Sequence, residues 1–153
     1  MDDHLASFNA QPLNTVKNYG GPFPSVGYHG SFREFNHISL TPDRPTLWCS
    51  IDPAHARAFA LSRAPKDAKF VFVYRIDFDP LPTKVAEFAS EDDLKKLSRF
   101  SKRENPTDAC WRLAEEGRYD GVLYYSCGEL FFGGLNATKM RISVEERLHN
   151  QPN

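Results

Sequence analysis

The sequence predicts an α+β fold in which mainly antiparallel β-sheets pack against a few helices. Strand-like segments outnumber helix-like segments, and they cluster towards both ends of the chain with the helices between them. The chain has 153 residues, of which 41% are hydrophobic and 13% aromatic, and this is enough for the core of one domain. We therefore expect an irregular lead-in over residues 1–24, a single domain over 25–146 and a C-terminal tail over 147–153.

The first half of the chain predicts two strands and a helix. Residues 26–30 predict the first strand, and residues 47–51 predict the second, with a proline-containing turn at 41–45 between them. Asp52 and Pro53 then precede a segment of helix-forming composition. A carboxylate cap followed by proline at the first helical position predicts that a helix begins here.

The middle of the chain predicts the central strand and two more helices. Residues 69–78, KFVFVYRIDF, form the longest strand signal and are largely apolar on both faces. Residues 91–99 and 107–116 predict helices, and Gly117 stands where a left-handed cap would end the second one. The buried stripe of that helix is predicted to be Ala109, Cys110, Leu113 and Ala114. Three further strands are predicted at 122–126, 129–134 and 139–144.

Charge and cysteine content exclude several classes of protein. The formal net charge is -1, too weak to attract the whole chain to phosphate backbones or anionic lipid. The N-terminal segment is acidic, and the apolar stretches are shorter than the roughly 18 to 20 residues needed to cross a bilayer. The three cysteines have no zinc-binding spacing. We expect no membrane and no metal, and a cytoplasmic location, in the cell of origin or in a recipient cell if the protein is delivered as a toxin.

Three places carry residues typical of a ligand site. His29 lies in the segment YHGS on the first strand, Trp48 and Ser50 lie on the second strand with Phe59 on the helix after it, and Glu129 directly precedes the apolar run LFF. A carboxylate at the start of an apolar strand gains nothing from burial unless it is paired or used. Each place also has a structural interpretation: a packed histidine, core aromatic residues, and a carboxylate at a strand edge in water.

Together these segments resemble the ADP-ribosyltransferase family, the NAD-binding fold of poly-ADP-ribose polymerases and diphtheria-type toxins. YHGS is similar to the family's first-strand motif, and LWCSIDPAHARAFA at 47–60 is similar to its second block. GRYDGVLYYSCGELFF at 117–132 resembles the closing block of phage and effector-type members, whose glutamate is catalytic. The resemblance runs from about residue 26 to 144, and it implies split antiparallel β-sheets with a few flanking helices.

The resemblance implies which residues hold NAD as the co-substrate. His29 would hydrogen-bond the adenine-side ribose, and the backbone of Gly30 would bind the nicotinamide amide. Ser31, in the same motif, is also predicted to be a cofactor-binding residue. Trp48 and Phe59 would stack on the nicotinamide ring, because aromatic side chains supply apolar area and a π face.

The resemblance also implies that Glu129 is catalytic, with His29 as its partner in the site. Glu129 would bind the 2′-hydroxyl of the nicotinamide ribose and stabilise the oxocarbenium-like transition state, while Ser50 would add a hydroxyl. The chain departs from the family at two places: Trp48 stands where the histidine class has tyrosine, and Cys127 stands where arginine-modifying toxins have a second acid. The acceptor therefore stays open.

The sequence predicts an NAD-dependent mono-ADP-ribosyltransferase that modifies a protein or a nucleic acid. A toxin, effector or phage context is expected, with an immunity protein or antitoxin as a further partner. Two alternatives stay open: an NAD glycohydrolase on the same fold, and a non-catalytic module that binds NAD, ADP-ribose or a partner. A nucleic-acid phosphotransferase of this fold would need clustered arginines, and the basic residues here are scattered.

Overall fold

Eight strands and three α-helices make up the part of the chain that the structure, a computed structural model, describes: residues 11–99, 106–135 and 139–150. A short 3-10 turn at Leu13–Thr15 precedes β1 (Lys17–Asn18), β2 (Val26–Ser31), β3 (Cys49–Ser50), α1 (Pro53–Arg63), β4 (Phe70–Phe78) and β5 (Val85–Phe88). The second half contains α2 (Glu91–Lys95), α3 (Thr107–Glu115), β6 (Gly121–Ser126), β7 (Glu129–Gly134) and β8 (Met140–His149). Residues 1–10 of the predicted lead-in and 151–153 of the predicted tail lie outside the described residues.

The strands form one mixed sheet in the order β1-β5-β6-β7-β3-β2-β4-β8. Neighbouring strands are antiparallel except for β5 and β6, which are parallel. The predicted α+β fold with mainly antiparallel strands is therefore confirmed. The expected division into separate sheets is not seen, because β3 pairs with both β2 and β7 and joins the two halves. The junction is narrow, since β2 and β3 pair only at Tyr28 and Ser50.

Local sequence signals placed α1 and β4 correctly. Asp52 caps α1 by accepting a hydrogen bond from the Ala54 N–H at 2.9 Å, and Pro53 occupies the first helical position. Proline at this position costs no hydrogen bond, because the first N–H groups of a helix have no partner within it. The long strand β4 is flanked on both sides, by β2 and β8, as expected for a central strand.

Other elements have different bounds from those predicted. The second strand covers only Cys49–Ser50. It is short because α1 begins soon after it and because the Trp48 carbonyl accepts a hydrogen bond from a side chain and not from a neighbouring strand. The helix predicted over 91–99 ends at Lys95. Strands β1 and β5 were not predicted, and β1 lies within the predicted lead-in, while β8 continues past 146 to His149.

The end of α3 corrects the role predicted for Gly117. The left-handed residue is Arg118, with φ of 58°. At Gly117 a Cβ atom would lie 2.8 Å from the Tyr119 ring and 3.0 Å from the Leu113 carbonyl oxygen. Close packing, and not a left-handed backbone, therefore accounts for the glycine, and the Tyr119 N–H donates to the Leu113 carbonyl at 2.9 Å.

Two hydrophobic clusters cover opposite faces of the sheet. One packs α2 and α3 against β5 and β6, and it contains the whole stripe predicted for α3. The other includes much of β4 together with residues of β3 and β7. Val122 and Leu123, neighbours on β6, belong to different clusters, as expected for side chains that alternate along a strand. No described helix is long and apolar enough to cross a membrane.

Candidate functional site

A pocket of about 720 Å³ lies where β2 and β3 separate. Residues of β2, β3 and α1 line it together with residues of α2, β6 and β7. Its volume lies within the range of roughly 300 to 1,000 Å³ that is typical of small-molecule sites. Its lining residues are Tyr28, His29, Gly30, Trp48, Cys49, Ser50, His55, Ala56, Phe59, Arg63, Glu91, Lys95, Pro106, Tyr124, Ser126 and Phe131.

Most of the predicted site residues line this pocket. They are His29, Gly30, Trp48, Ser50 and Phe59, which come from β2, from β3 and the residue before it, and from α1. Ser31 and Glu129 do not line it.

His29 bridges the gap between β2 and the segment before β3. Its Nδ1 lies 2.6 Å from the Trp48 carbonyl oxygen. Because a carbonyl only accepts, Nδ1 carries the proton and the neutral ring presents Nε2 as an acceptor. Burial lowers the pKa of His29, the charge of Arg44 lowers it further, and the bond to Trp48 opposes both. The imidazole is therefore neutral at pH 7.

Gly30 brings α1 against the sheet. A Cβ atom at this position would overlap the Ala56 carbonyl oxygen and lie 3.0 Å from the Ala60 Cβ. Only glycine permits so close an approach between strand and helix backbones. The same approach sets His55 and Phe59, on α1, along the pocket.

An aromatic wall of three side chains lines the pocket. The ring of Tyr124 stacks on Phe131 with centroids 5.2 Å apart, and Trp48 meets Tyr124 edge-on at 5.0 Å. His55 lies 5.3 Å from Phe131. Phe59, on α1, also lines the pocket and is 46% exposed.

Sequence reasoning missed Tyr124 and Phe131 as site residues. They are Cα partners of each other, and Phe131 is the partner of Ser50, which is in turn the partner of Tyr28. Partners across antiparallel strands point to the same face of a sheet. These four residues form a row on one face of the sheet. The row can be recognised only from the order of the strands, because its members lie far apart in the sequence.

Three charged side chains line the pocket. Arg63 lies over the Phe59 ring at 4.8 Å, and Lys95 lies 3.9 Å from the Glu91 carboxylate. Burial raises the pKa of Tyr124, and the charge of Glu91 and its hydrogen bond with the phenol raise it further. Glu91 could not be selected from the sequence, because an acidic first turn is ordinary at the start of a helix.

Glu129 lies beside the pocket and is exposed to solvent. Its Cα partner is Ser126, which does line the pocket, so the two side chains share a face at the rim. Cys127 and Gly128 form the turn between β6 and β7, with φ of 52° and 79°. Ser31 has a local contact instead, because its Oγ accepts a hydrogen bond from the Arg33 N–H at 3.0 Å.

Two of the three cysteines are buried in the described ranges. Cys49 and Cys110 are buried, and burial raises the pKa of both thiols, while Cys127 is exposed. No three His, Cys, Asp or Glu side chains of the described residues are grouped closely enough to hold a metal ion.

Comparisons of the chain with protein-family models, with curated proteins and with solved structures found no match. A proposal for the function therefore rests on the residues and the geometry of the pocket.

Proposed function

We propose that the protein is an NAD-dependent ADP-ribosyltransferase, with the corresponding fold, that binds NAD in this pocket. It would cleave the nicotinamide–ribose bond and transfer ADP-ribose to a protein or nucleic-acid acceptor. One observation carries the proposal: His29, Gly30, Trp48, Ser50 and Phe59, selected from the sequence as NAD contacts, line a single pocket.

The charges of the pocket suit a dinucleotide of this kind. NAD combines one aromatic cation, the pyridinium, with two negatively charged phosphates. The pocket combines an aromatic wall and one carboxylate, Glu91, with two cations, Lys95 and Arg63. Aromatic faces attract cations, and lysine and arginine bind phosphate, so each part of the ligand has a complementary partner.

The proposed reaction breaks the bond between ribose C1′ and the pyridinium nitrogen. The bonding electron pair leaves with nicotinamide, which becomes neutral, and positive charge develops on the ribose. A nucleophile of the acceptor then forms the new bond to C1′ and releases its proton. Glu129, at the rim, would bind the 2′-hydroxyl and favour the cationic transition state.

The test is nicotinamide release from NAD by the wild type, His29→Ala and Glu129→Gln. We expect Glu129→Gln to slow release by roughly a hundred- to thousand-fold, as for the loss of one preorganised transition-state contact. Glu145→Gln is the matched control, because Glu145 is also an exposed strand glutamate but lies on β8. Equal turnover in all four proteins would overturn the site.

The exposure of Glu129 favours one alternative, a non-catalytic module that binds NAD or ADP-ribose. Such a module would bind NAD without releasing nicotinamide, and Glu129→Gln would leave binding unchanged. An NAD glycohydrolase differs in its product: label from adenylate-labelled NAD would appear only in free ADP-ribose and not on a macromolecule.

A further inference from the structure

Strand β8 lies at one end of the sheet and leaves a long edge unpaired. It is the last strand in the order, and among the described residues only β4 pairs with it. It runs over ten residues, Met140–His149, and none of them is buried. The strand contains no proline, so its outward N–H and C=O groups can pair with another strand. Val144 on this strand is 53% exposed although it is apolar. This edge therefore has the features of a surface that another strand covers.

The first half of β8 is regular. Its Cα pairing with β4 runs without interruption from Met140, opposite Phe78, to Val144, opposite Tyr74. The register shifts only beyond Val144, where Glu145 is an extra residue. Bulges and charged side chains usually keep an edge strand from pairing with another chain. Here the bulge leaves a regular stretch of five residues, about the length of an ordinary strand, so the positions of the charges decide whether this edge can pair.

This stretch is complementary to itself. When two copies pair antiparallel with Ser143 opposite the same residue of the second copy, Ile142 lies opposite Val144, and Arg141 lies opposite Glu145. By symmetry each of these pairs occurs twice. Apolar pairs and pairs of opposite charge stabilise neighbouring strands, whereas like charges directly opposite destabilise them. The charges of β8 therefore favour pairing with a second copy in this register.

The neighbouring registers fit less well. With Val144 opposite itself, Arg141 would meet Arg147 of the second copy, and two like charges would face each other twice. With Ile142 opposite itself, Arg141 would meet Ser143 of the second copy and would have no charged partner there. Of these registers, only the one centred on Ser143 sets Arg141 opposite an acidic residue.

Arg141 and Glu145 have no ion-pair partner among the described residues. Arg141 lies opposite Asp77 of β4, but Asp77 pairs with Arg75 at 3.2 Å. The hydrogen bond to Asp77 raises the pKa of Arg75, and the nearby charge of Glu145 adds to this rise. Since Arg75 is the Cα partner of Ser143, Glu145 lies near the face that Arg141 and Ser143 share. Both charges are therefore on the same face and available to a second copy.

We propose that β8 pairs with β8 of a second copy, antiparallel about Ser143, and that the protein forms a two-fold symmetric dimer through this edge. A groove of about 470 Å³ lies at the same place, between residues 34–36 and the segment Ile142, Ser143 and Val144, and the second copy covers it. The contact is short, so the dimer forms in a concentration-dependent way. No residue of β8 lines the NAD pocket, so this proposal does not depend on the proposed function.

Sedimentation velocity of the full chain across a concentration series measures the dimer, with folding checked by circular dichroism. We expect the wild type to sediment as a dimer at high concentration and as a monomer on dilution. Arg141→Glu and Glu145→Arg should each weaken dimerisation by about 10-fold or more, because each sets like charges opposite one another at two positions. The double variant restores opposite charges and should return to within about 3-fold of the wild type. Lys66→Glu, an exposed residue in the turn before β4, makes the same change in net charge and should have no effect.

Cysteine cross-linking tests the register. In a Cys127→Ser background, which removes the exposed thiol, diamide should oxidise Ser143→Cys to a disulfide-linked dimer on a non-reducing gel. Directly opposite residues have Cα atoms about 4.5 to 5.5 Å apart, within the range that a disulfide spans. Val144→Cys is the matched control, because its two copies would be offset by two residues along the strands, beyond the limit of about 7 Å.

Each contrary result overturns a stated part of the proposal. A wild type that stays monomeric at every concentration overturns the dimer. A dimer that Ser143→Cys does not cross-link, and that persists in Arg141→Glu, lies on another surface and overturns the pairing of β8. Cross-linking through Val144→Cys but not through Ser143→Cys overturns the register. Nicotinamide release by the wild type is a separate measurement, and its absence would overturn the proposed function and leave the dimer standing.

Discussion

Gly30→Ala tests the contact on which the shape of the pocket depends. The added Cβ would overlap the Ala56 carbonyl oxygen, lie 2.9 Å from its carbonyl carbon and lie 3.0 Å from the Ala60 Cβ. Ordinary contacts of this kind are 3.4 to 4 Å. None of these atoms belongs to a flexible side-chain end, so relief requires that α1 move away from β2 as a body.

The energetic cost follows from this geometry. Overpacking by one methyl group typically costs about 1 to 3 kcal/mol, and we expect the upper end because the obstruction is helix backbone. For a chain of this length each kcal/mol lowers Tm by about 2 to 4 °C, so the loss should be about 6 to 12 °C. The displaced helix also carries His55 and Phe59, and therefore NAD affinity should fall with stability.

Thermal and urea unfolding measure the first effect, and titration with NAD measures the second. Gly20→Ala is the control, since a Cβ there meets no atom within 4 Å, and such a surface substitution should change stability by less than about 0.5 kcal/mol. If Gly30→Ala unfolds at the same temperature as Gly20→Ala, α1 is not seated on β2 through Gly30 and the pocket wall has been assigned wrongly.

Three further predictions concern buried polar groups. Burial favours a raised pKa for Asp108, but hydrogen bonds from Arg99, at 2.7 and 2.8 Å, bring the pKa below its ordinary value. Asp108→Asn should lower the unfolding free energy measured in urea at pH 7 by about 1 to 2 kcal/mol. The difference should disappear as pH falls below about 4, through the folded-state pKa. Burial lowers the pKa of His29, so the unfolded chain takes up a proton near pH 6.5 that the folded chain does not. The unfolding free energy should therefore fall as pH drops below about 6.5. The same dependence of the unfolding free energy on pH in His29→Asn would contradict this. The buried Tyr74 hydroxyl accepts a hydrogen bond from the Phe35 N–H at 2.9 Å, so Tyr74→Phe should lower the unfolding free energy by about 1 to 3 kcal/mol, and an unchanged urea midpoint would refute the bond.

Elements with local signals could be predicted from the sequence. The capping carboxylate Asp52 and the proline after it determine where α1 begins, and both act within one turn. The stripe of α3 has helical spacing that is visible without any partner. By contrast, the length of β3 depends on distant groups: the His29 side chain takes the Trp48 carbonyl, and no local pattern contains that bond.

The candidate site divides in the same way. Residues next to a recognisable motif, such as Gly30 and Trp48, could be selected from the sequence. Tyr124, Phe131 and Glu91 could not, because they reach the pocket only through the order of strands that are far apart in the chain. The sequence also does not distinguish an aromatic residue that packs in the core from one that lines a pocket. Tyr124 does both, because it belongs to a hydrophobic cluster and lines the pocket.

The two interpretations of His29 that the sequence leaves open are compatible in the structure. Nδ1 donates to the Trp48 carbonyl, where pairing between β2 and β3 has ended after a single pair of residues. The ring thus replaces a missing strand contact, while Nε2 is the atom that can accept a hydrogen bond from a ligand. A pocket at this point needs the strands to separate without leaving their backbone groups unpaired. A neutral histidine can meet both needs with its two nitrogens, so the structural role of His29 does not compete with the ligand contact that we propose for it.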